Sequence, residues 1–507
     1  MHPRPWREHL APGTALEIAD LTAAGSLPAT WAARWSAQPG AALLWDGTAA
    51  GDGWCRAGAF DDVTRALAGR LGRLGLAAGD RLLWSTTSSV AAAAVNVAAL
   101  RAGIVVVPVN PLYTERELAH LVQDVGPAAA VVDDEGRAGL VSAASGGRVQ
   151  VLDCELHVVH GRSGGDAHND GAPVLDAARP GDPALIAYTS GTTGAPKGAV
   201  LSHGNLLANS ESVARTWRWG EGDRLVHALP IFHGHGLCVA LYTSLLVGSS
   251  VVLLPRFDPG AVLDACAEHD ATLFFGVPTM YHRLVSSGRV GELARLRLAV
   301  SGSAPLAADL HEAVRRAGRV EVLERYGMTE TLMTLSNPYD GERRPGTVGF
   351  PFPGVEARLL DGEIQVKGPA VFDGYWQRPA ATAEAFTDGW FGTADLAEVD
   401  DGYVRILGRS SELVISGGYN VYPAEVEDVL LGHPSVLEVA VTGTPSDEWG
   451  EVVTAWVVPD GATPLDTAAV LAYAGERLAA YKRPRIVHVV DTLPRNAMGK
   501  VLRSALH

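Results

Sequence analysis

Short apolar runs with strand period alternate with helix-period segments along most of this chain, which restricts it to largely parallel sheets with helices packed on their faces. The spacing predicts a helix over 60–74, a strand at 81–85, a helix through 91–102 and a strand at 104–109. Apolar strands continue after Ala184, at 226–229, 250–254, 272–276 and 296–301, separated by helical stretches such as 259–269. The most apolar run, 88–109, is broken by Asn96, Arg101 and Gly103, so it reads as a buried helix followed by a strand and not as a membrane span. Residues 157–182, rich in Gly, Ala and Asp, read as a surface connection. From 348 to 407 short strands and turns predict an antiparallel layer, and from 409 onward a separate helix and strand pattern begins. The fold class is therefore α/β. A large N-terminal domain, residues 1–408, is built of layered α/β subdomains plus a small β-barrel-like layer, and a small α+β domain follows over 409–507.

A chain of 507 residues, 47% hydrophobic and 19% charged, can bury large cores. Its net charge of −16 repels phosphate backbones and anionic lipid surfaces, so neither nucleic acid nor a membrane is an expected partner. An anionic ligand would need backbone N–H groups, Lys and Arg concentrated locally. Four scattered cysteines without CxxC spacing, and a start that lacks a signal-peptide pattern, predict a reduced cytoplasmic setting.

One such concentration is Tyr188-Thr189-Ser190-Gly191-Thr192-Thr193-Gly194-Ala195-Pro196-Lys197-Gly198, directly after an apolar strand. Three glycines, four hydroxyls and one lysine suit a turn that cradles phosphates: glycine allows close approach, hydroxyls donate and the lysine adds charge. Gly198 follows the lysine where a Walker A loop requires Ser or Thr, so the segment is not that loop.

It resembles instead the phosphate loop of the adenylate-forming superfamily of acyl-CoA synthetases, aryl acid ligases, luciferase and peptide-synthetase adenylation domains. Further segments resemble that family in the same order. By the resemblance, Ser301-Gly302-Ser303-Ala304-Pro305 lines the adenine and acyl pocket. In Glu324-Arg325-Tyr326-Gly327-Met328-Thr329-Glu330, Tyr326 would stack on adenine, Thr329 would contact phosphate and Glu330 would hold Mg²⁺. Asp395 would accept from both ribose hydroxyls and Arg409 would also reach the ribose. Gly392 and Ala394 depart from the common family pattern of Arg and Gly. Ser411 stands at the hinge of a mobile C-terminal domain where the family has Asp or Lys. Ser416, Gly417, Gly418 and Tyr419 would line the path of coenzyme A, with Lys482 and Arg483 as phosphate contacts or, equally, a solvated basic cluster. The segment Leu493-Pro494-Arg495-Asn496-Ala497-Met498-Gly499-Lys500 resembles the one that carries the catalytic lysine.

Such an enzyme activates a carboxylic acid with ATP and Mg²⁺, forming an acyl-adenylate and pyrophosphate, and then passes the acyl group to coenzyme A. Lys500, Thr193, Glu330 and His233 are the residues expected at the reacting atoms. No protein nucleophile is required, because the task is positioning and charge stabilisation. The surroundings of Phe232-His233-Gly234-His235 and Gly276-Val277-Pro278-Thr279-Met280-Tyr281-His282-Arg283 resemble malonyl-CoA synthetases, as does the run through Met333. Arg283 is the candidate for pairing the second carboxylate of malonate or methylmalonate, against a reading as a surface or structural arginine. His233 and His235 are read as pocket lining, since an HxH pair without a third ligand is a weak metal signal. The alternatives are an aryl or other small acid, even nitrite, with a carrier-protein thiol or an amine as acceptor, and more remotely an inactive nucleotide-binding scaffold.

Overall fold

The computed structural model describes residues 3–45, 52–160, 173–189, 196–416, 419–446, 449–461, 464–495 and 501–506. Two large sheets form its frame. In the first, strands Ala42–Trp45, Ser250–Leu253, Arg224–His227, Leu273–Gly276, Leu298–Ser301 and Val322–Met328 lie parallel in that spatial order. Leu332–Ser336 and Phe350–Pro351 add antiparallel at one edge, and Trp54–Arg56 does so at the other. In the second, Pro183–Thr189, Val105–Pro108, Arg81–Ser85, Ala129–Val132 and Gln150–Leu152 run parallel.

An antiparallel five-stranded layer follows, built around Glu363–Lys367, Trp390–Asp400 and Tyr403–Arg409. The expected small β layer and α/β frame are both present. A further sheet is made wholly of residues from Val414 onward, with Gly450–Pro459 and Val436–Ser446 as its long antiparallel pair. Among the described residues no helix is long and apolar enough to cross a membrane.

Two local features depart from the sequence expectation, and both matter for the site. Lys197–Ser202 folds back antiparallel on Pro183–Thr189, so the glycine- and hydroxyl-rich segment joins two hydrogen-bonded strands. Its stem is therefore tied across the whole pair, from Pro183–Ser202 to Thr189–Lys197. Glu324 to Met328 lie inside the strand Val322–Met328, not after it. That strand turns tightly at 329–331 into Leu332–Ser336, and a side chain on Gly327 would stand 1.9 Å from the Leu332 carbonyl oxygen, so only glycine fits.

The apolar run that carried polar interruptions is the helix Val90–Arg101, buried on every face from Ala92 onward. Both interruptions are paired. Asn96 accepts from the Tyr242 hydroxyl at 2.6 Å. Arg101, fully buried, donates to both Asp176 oxygens at 2.9 and 2.8 Å, to Asp61 at 2.6 Å and to Thr64 at 2.7 Å. A charge without such partners would be expelled from this interior. Replacing Arg101 with Met leaves two facing carboxylates without their cation, and we expect a loss of about 3 kcal/mol. Chemical denaturation of the variant, followed by tryptophan fluorescence, measures it.

Candidate functional site

The loops at the carboxyl ends of both large sheets meet around a cavity of about 1440 Å³, which also receives side chains from the antiparallel layer and from the C-terminal segment. Successive side chains along Val322–Met328 point to opposite faces. Arg325 lines the cavity, whereas Tyr326 and Asp395 are not among its lining residues and stand behind the lining Thr393 and Arg409.

At the first end, the Tyr326 hydroxyl donates to Asp395 Oδ2 at 2.5 Å, and Arg409 Nε meets Asp395 Oδ1 at 2.7 Å. Asp395 and Arg409 are direct cross-strand partners, which fixes the pair in the sheet register. Arg409 also donates to the Thr393 carbonyl at 3.1 Å. Burial first, and the Asp395 charge second, hold the Tyr326 hydroxyl well above its usual range, so it stays protonated and donating. Ala394, on the cavity wall, holds φ +57° where an L residue is strained. Its N–H donates to Glu363 Oε1 at 2.9 Å.

At the middle, Glu330 sits in the tight turn after Met328 at 4% exposure. Its carboxylate accepts from the Tyr375 hydroxyl at 3.0 Å, and burial pushes its pKa above the usual range. Thr189, Lys197 and Thr329 line the same stretch, and the Lys197 ammonium lies 5.1 Å from the Tyr375 ring centroid.

At the other end stand His233, His235, Ser303, Arg325 and Met333. His235 opens a π-helical turn, His235–Tyr242, in a segment folded so closely that a side chain on Gly236 would stand 2.2 Å from the Pro230 carbonyl oxygen. Such turns concentrate at functional sites. The His235 N–H donates to His233 Nδ1 at 3.3 Å, which leaves the proton of a neutral His233 on Nε2. Burial, then the Arg325 charge, lowers His233 to about 4, and the same two causes hold His235 well below 6.5.

Arg325 is 3% exposed and has no ion-pair partner among the described residues. Its Nη2 reaches Ser303 Oγ at 3.4 Å, and its Nε has no hydrogen-bond partner. Burial alone pulls its pKa down to about 9. Gly302 makes the room: a Cβ there would lie 2.3 Å from the guanidinium carbon.

Several expected residues stand elsewhere. Arg283 is exposed, lies over the Phe257 ring at 5.1 Å and does not line the cavity. The helix Pro278–Ser286 buries Tyr281 and Leu284, and helical period then turns position 283 outward. Glu324 is behind the wall, accepting from the Gly346 N–H at 2.9 Å, with its carboxyl raised by burial to about 7. Ser301 is buried beside the cavity and Ala304 is exposed outside it. Gly327 and Met328 are on the wall.

In the C-terminal part, Ser416 is buried and Tyr419 stacks on Tyr481 at 4.7 Å. Lys482 is held by both oxygens of Glu425, and Arg483 donates to the Leu478 carbonyl at 2.8 Å, so both expected phosphate contacts are engaged within their own sheet region. Ser190, Gly191, Thr192, Thr193, Gly194, Gly417, Gly418 and Lys500 lie outside the described residues. The residues that flank the last of these are informative. Arg495 and Val501 form an antiparallel bridge, the Leu502 N–H donates to the Pro494 carbonyl at 2.8 Å, and Arg495 and Leu502 both line the cavity.

Sequence reasoning placed Arg325 and Gly302 in the nucleotide and acyl pocket without pairing them, and passed over Tyr375 and Arg495. The alternation of Glu324, Arg325 and Tyr326 on one strand was the available signal for Arg325. The others are brought in by contacts distant in the chain.

The buried histidines carry a pH consequence. His9, His203, His227 and His233 are each lowered to about 4, chiefly by burial. Unfolded imidazoles charge near 6.5, so the unfolded chain binds more protons below that pH, and stability present above about 6.5 is lost progressively toward about 4. Thermal unfolding across this window should show falling Tm and net proton uptake on unfolding, read from buffers of differing ionisation enthalpy.

Two family models match the chain: "AMP-binding enzyme" over residues 33–376 and "AMP-binding enzyme C-terminal domain" over 425–500. A feruloyl-CoA synthase from Amycolatopsis sp is 38% identical over 454 residues, covering 86% of this chain and 90% of that protein. A malonate–CoA ligase from Arabidopsis thaliana is 36% identical over 447 residues, covering 80% and 74%. The crystal structure of ATP-bound MatB from Rhodopseudomonas palustris matches with a TM-score of 0.84 at 41% identity, covering 95% of this chain and 98% of that one.

Proposed function

As the chain belongs to the AMP-binding enzyme family and is an ATP-dependent acyl-CoA synthetase, we propose that the acid it activates is a small dicarboxylate of the malonate class. Relatives of similar identity carry names for different acids, so the argument for the acid rests on the pocket. The observation that carries it is the buried Arg325, which has no ion-pair partner among the described residues.

A guanidinium taken out of water without a counter-charge is costly, and a bound carboxylate repays that cost with two parallel, charge-assisted hydrogen bonds. A dicarboxylate keeps one anionic carboxylate after the other is activated, and that is the group Arg325 would hold. His233 and His235, being neutral, add hydrogen-bonding capacity beside it without a competing charge. An acid with a neutral tail would leave Arg325 unpaired. Arg325 thus takes the part that sequence reasoning gave to Arg283.

In the first half-reaction one carboxylate oxygen attacks the α-phosphorus of ATP and pyrophosphate departs. Tyr326 offers an aromatic face for adenine, and Asp395, braced by Arg409, offers carboxylate acceptors for the ribose hydroxyls. His233, with its proton on Nε2, can donate to the reacting carboxylate or to the phosphate it joins. Lys197 brings positive charge to the phosphates, together with residues 189–194 that precede it. Lys500 is assigned to the charge that builds on the α-phosphate, which the cavity-lining positions of Arg495 and Leu502 on either side of it support.

Among the described residues no group of three or more His, Cys, Asp or Glu could hold a metal ion unaided. A lone buried carboxylate such as Glu330 suits Mg²⁺, which keeps waters and takes its other ligands from substrate phosphates. Such an ion would neutralise charge on the phosphates and on departing pyrophosphate.

In the second half-reaction the coenzyme A thiolate attacks the acyl carbonyl and AMP leaves. Ser416, residues 417 and 418, and Tyr419 are proposed as the wall along its pantetheine arm. The division into residues 1–408 and a mobile 409–507 is proposed with it. A terminal sheet that begins at Val414 and a second family model that begins at 425 support that division. Domain rotation would then exchange the lysine for the thiol between steps.

Acid-dependent pyrophosphate release across malonate, methylmalonate, propionate and ferulate tests the reading. Malonate or methylmalonate should lead. Arg325→Met and Gly302→Ala should each reduce malonate-dependent release about a hundredfold, the scale of two lost charge-assisted bonds, with ATP affinity kept. Preference for ferulate or propionate, or full malonate activity in Arg325→Met, would refute it.

A further inference from the structure

Glu330 and Lys197 come from different sheets, and one side chain touches both. Tyr375 belongs to the two-residue strand Gly374–Tyr375, which pairs with the outer edge of Lys197–Ser202 opposite Ala199. Its hydroxyl donates to Glu330 Oε1 at 3.0 Å, while its ring centroid is 5.1 Å from the Lys197 ammonium. A cation over an aromatic face at that distance is attracted to it.

Tyr375 is itself fixed. Phe372 packs edge-on against it at 4.9 Å, and its backbone N–H donates to Thr382 Oγ1 at 2.9 Å. The residues after it tie down the stems of the phosphate turn. The Trp376 N–H donates to the Gly198 carbonyl at 2.7 Å, and its indole N–H donates to the Asp124 carbonyl at 3.2 Å. Asp124 pairs with Arg378 and accepts from the Tyr188 hydroxyl at 2.6 Å, so the stem on the other side of the turn is held by the same cluster. Residues 374–378 therefore act as a strap across both stems, with Tyr375 at the point where it meets the cavity.

We propose that Tyr375 is a positioning residue of the adenylation step: its hydroxyl aims the Glu330 carboxylate at the nucleotide's divalent ion, and its ring holds the Lys197 ammonium beside the phosphates. The inference rests on the reading of Glu330 as the carboxylate that meets that ion. A carboxylate and an ammonium in one cavity would otherwise collapse onto each other in the absence of nucleotide. Placing a neutral ring and hydroxyl between them keeps both charges available.

Equilibrium binding of ATP without any acid substrate tests this apart from turnover, measured with Mg²⁺ and in EDTA. Tyr375→Phe keeps the ring and its packing on Phe372. It should weaken Mg²⁺·ATP binding about tenfold, the scale of one hydrogen bond to a charged group, and leave metal-free ATP within about twofold. Tyr375→Leu should weaken metal-free ATP binding as well. If Tyr375→Phe binds Mg²⁺·ATP as the parent does, while Glu330→Gln loses the Mg²⁺ dependence, the role of the hydroxyl is wrong and the metal reading survives. If Glu330→Gln keeps the full Mg²⁺ dependence, both are wrong. Metal-free binding by Tyr375→Leu equal to that of Tyr375→Phe would remove the ring from the proposal.

Discussion

Burying the Arg325 guanidinium without a carboxylate costs free energy that a bound anion can return, and the surrounding structure is built to keep that cost in place. Gly302 vacates the volume that the guanidinium occupies, and Ser303 supplies a single polar contact. The paired strand Leu332–Ser336 locks the backbone that carries it. His233 and His235 remain neutral beside it, so nothing nearby quenches its charge. This arrangement contrasts with Arg101, another buried arginine, whose donors are met by Asp61, Asp176 and Thr64. The fold meets the donors of one arginine, whereas the other has no ion-pair partner among the described residues.

The remaining charges of the cavity follow a similar division. Asp395 and Arg409 are paired directly across two strands, so the sheet register fixes their ion pair. Glu330 and Lys197 both meet Tyr375, one at its hydroxyl and the other at its ring. A net charge of −16 over the whole chain therefore coexists with a cavity whose cations are individually placed for an anionic acid and a triphosphate. Local placement overrides the global field at this range because few screening waters reach buried groups.

Much of the frame was legible in the amino-acid order because period carries it. The strand expected at 81–85 is Arg81–Ser85, and the buried helix expected at 91–102 is Val90–Arg101. The segment 188–198 stood out by composition, since its glycines and hydroxyls serve few other purposes, and its use for phosphate belongs to the proposal. The antiparallel return of Lys197–Ser202 was not, because local sequence does not state which strand a segment pairs with. The exposure of Arg283 was not legible, because the sequence does not state which face of Pro278–Ser286 is buried. Tyr375 could not have been found from its own neighbourhood. Its contacts reach back 45 residues to Glu330 and across a sheet edge to Lys197.

The central claim is that an acid's second carboxylate seats on Arg325 while the first is joined to the nucleotide. A crystal structure with a non-hydrolysable malonyl-adenylate analogue examines it most directly. The account predicts adenine against Tyr326, ribose hydroxyls at Asp395 and the distal carboxylate bridged to Arg325 by two hydrogen bonds. An analogue bound with that carboxylate turned into solvent or toward the helix of Arg283, and Arg325 still without an anion, would contradict it.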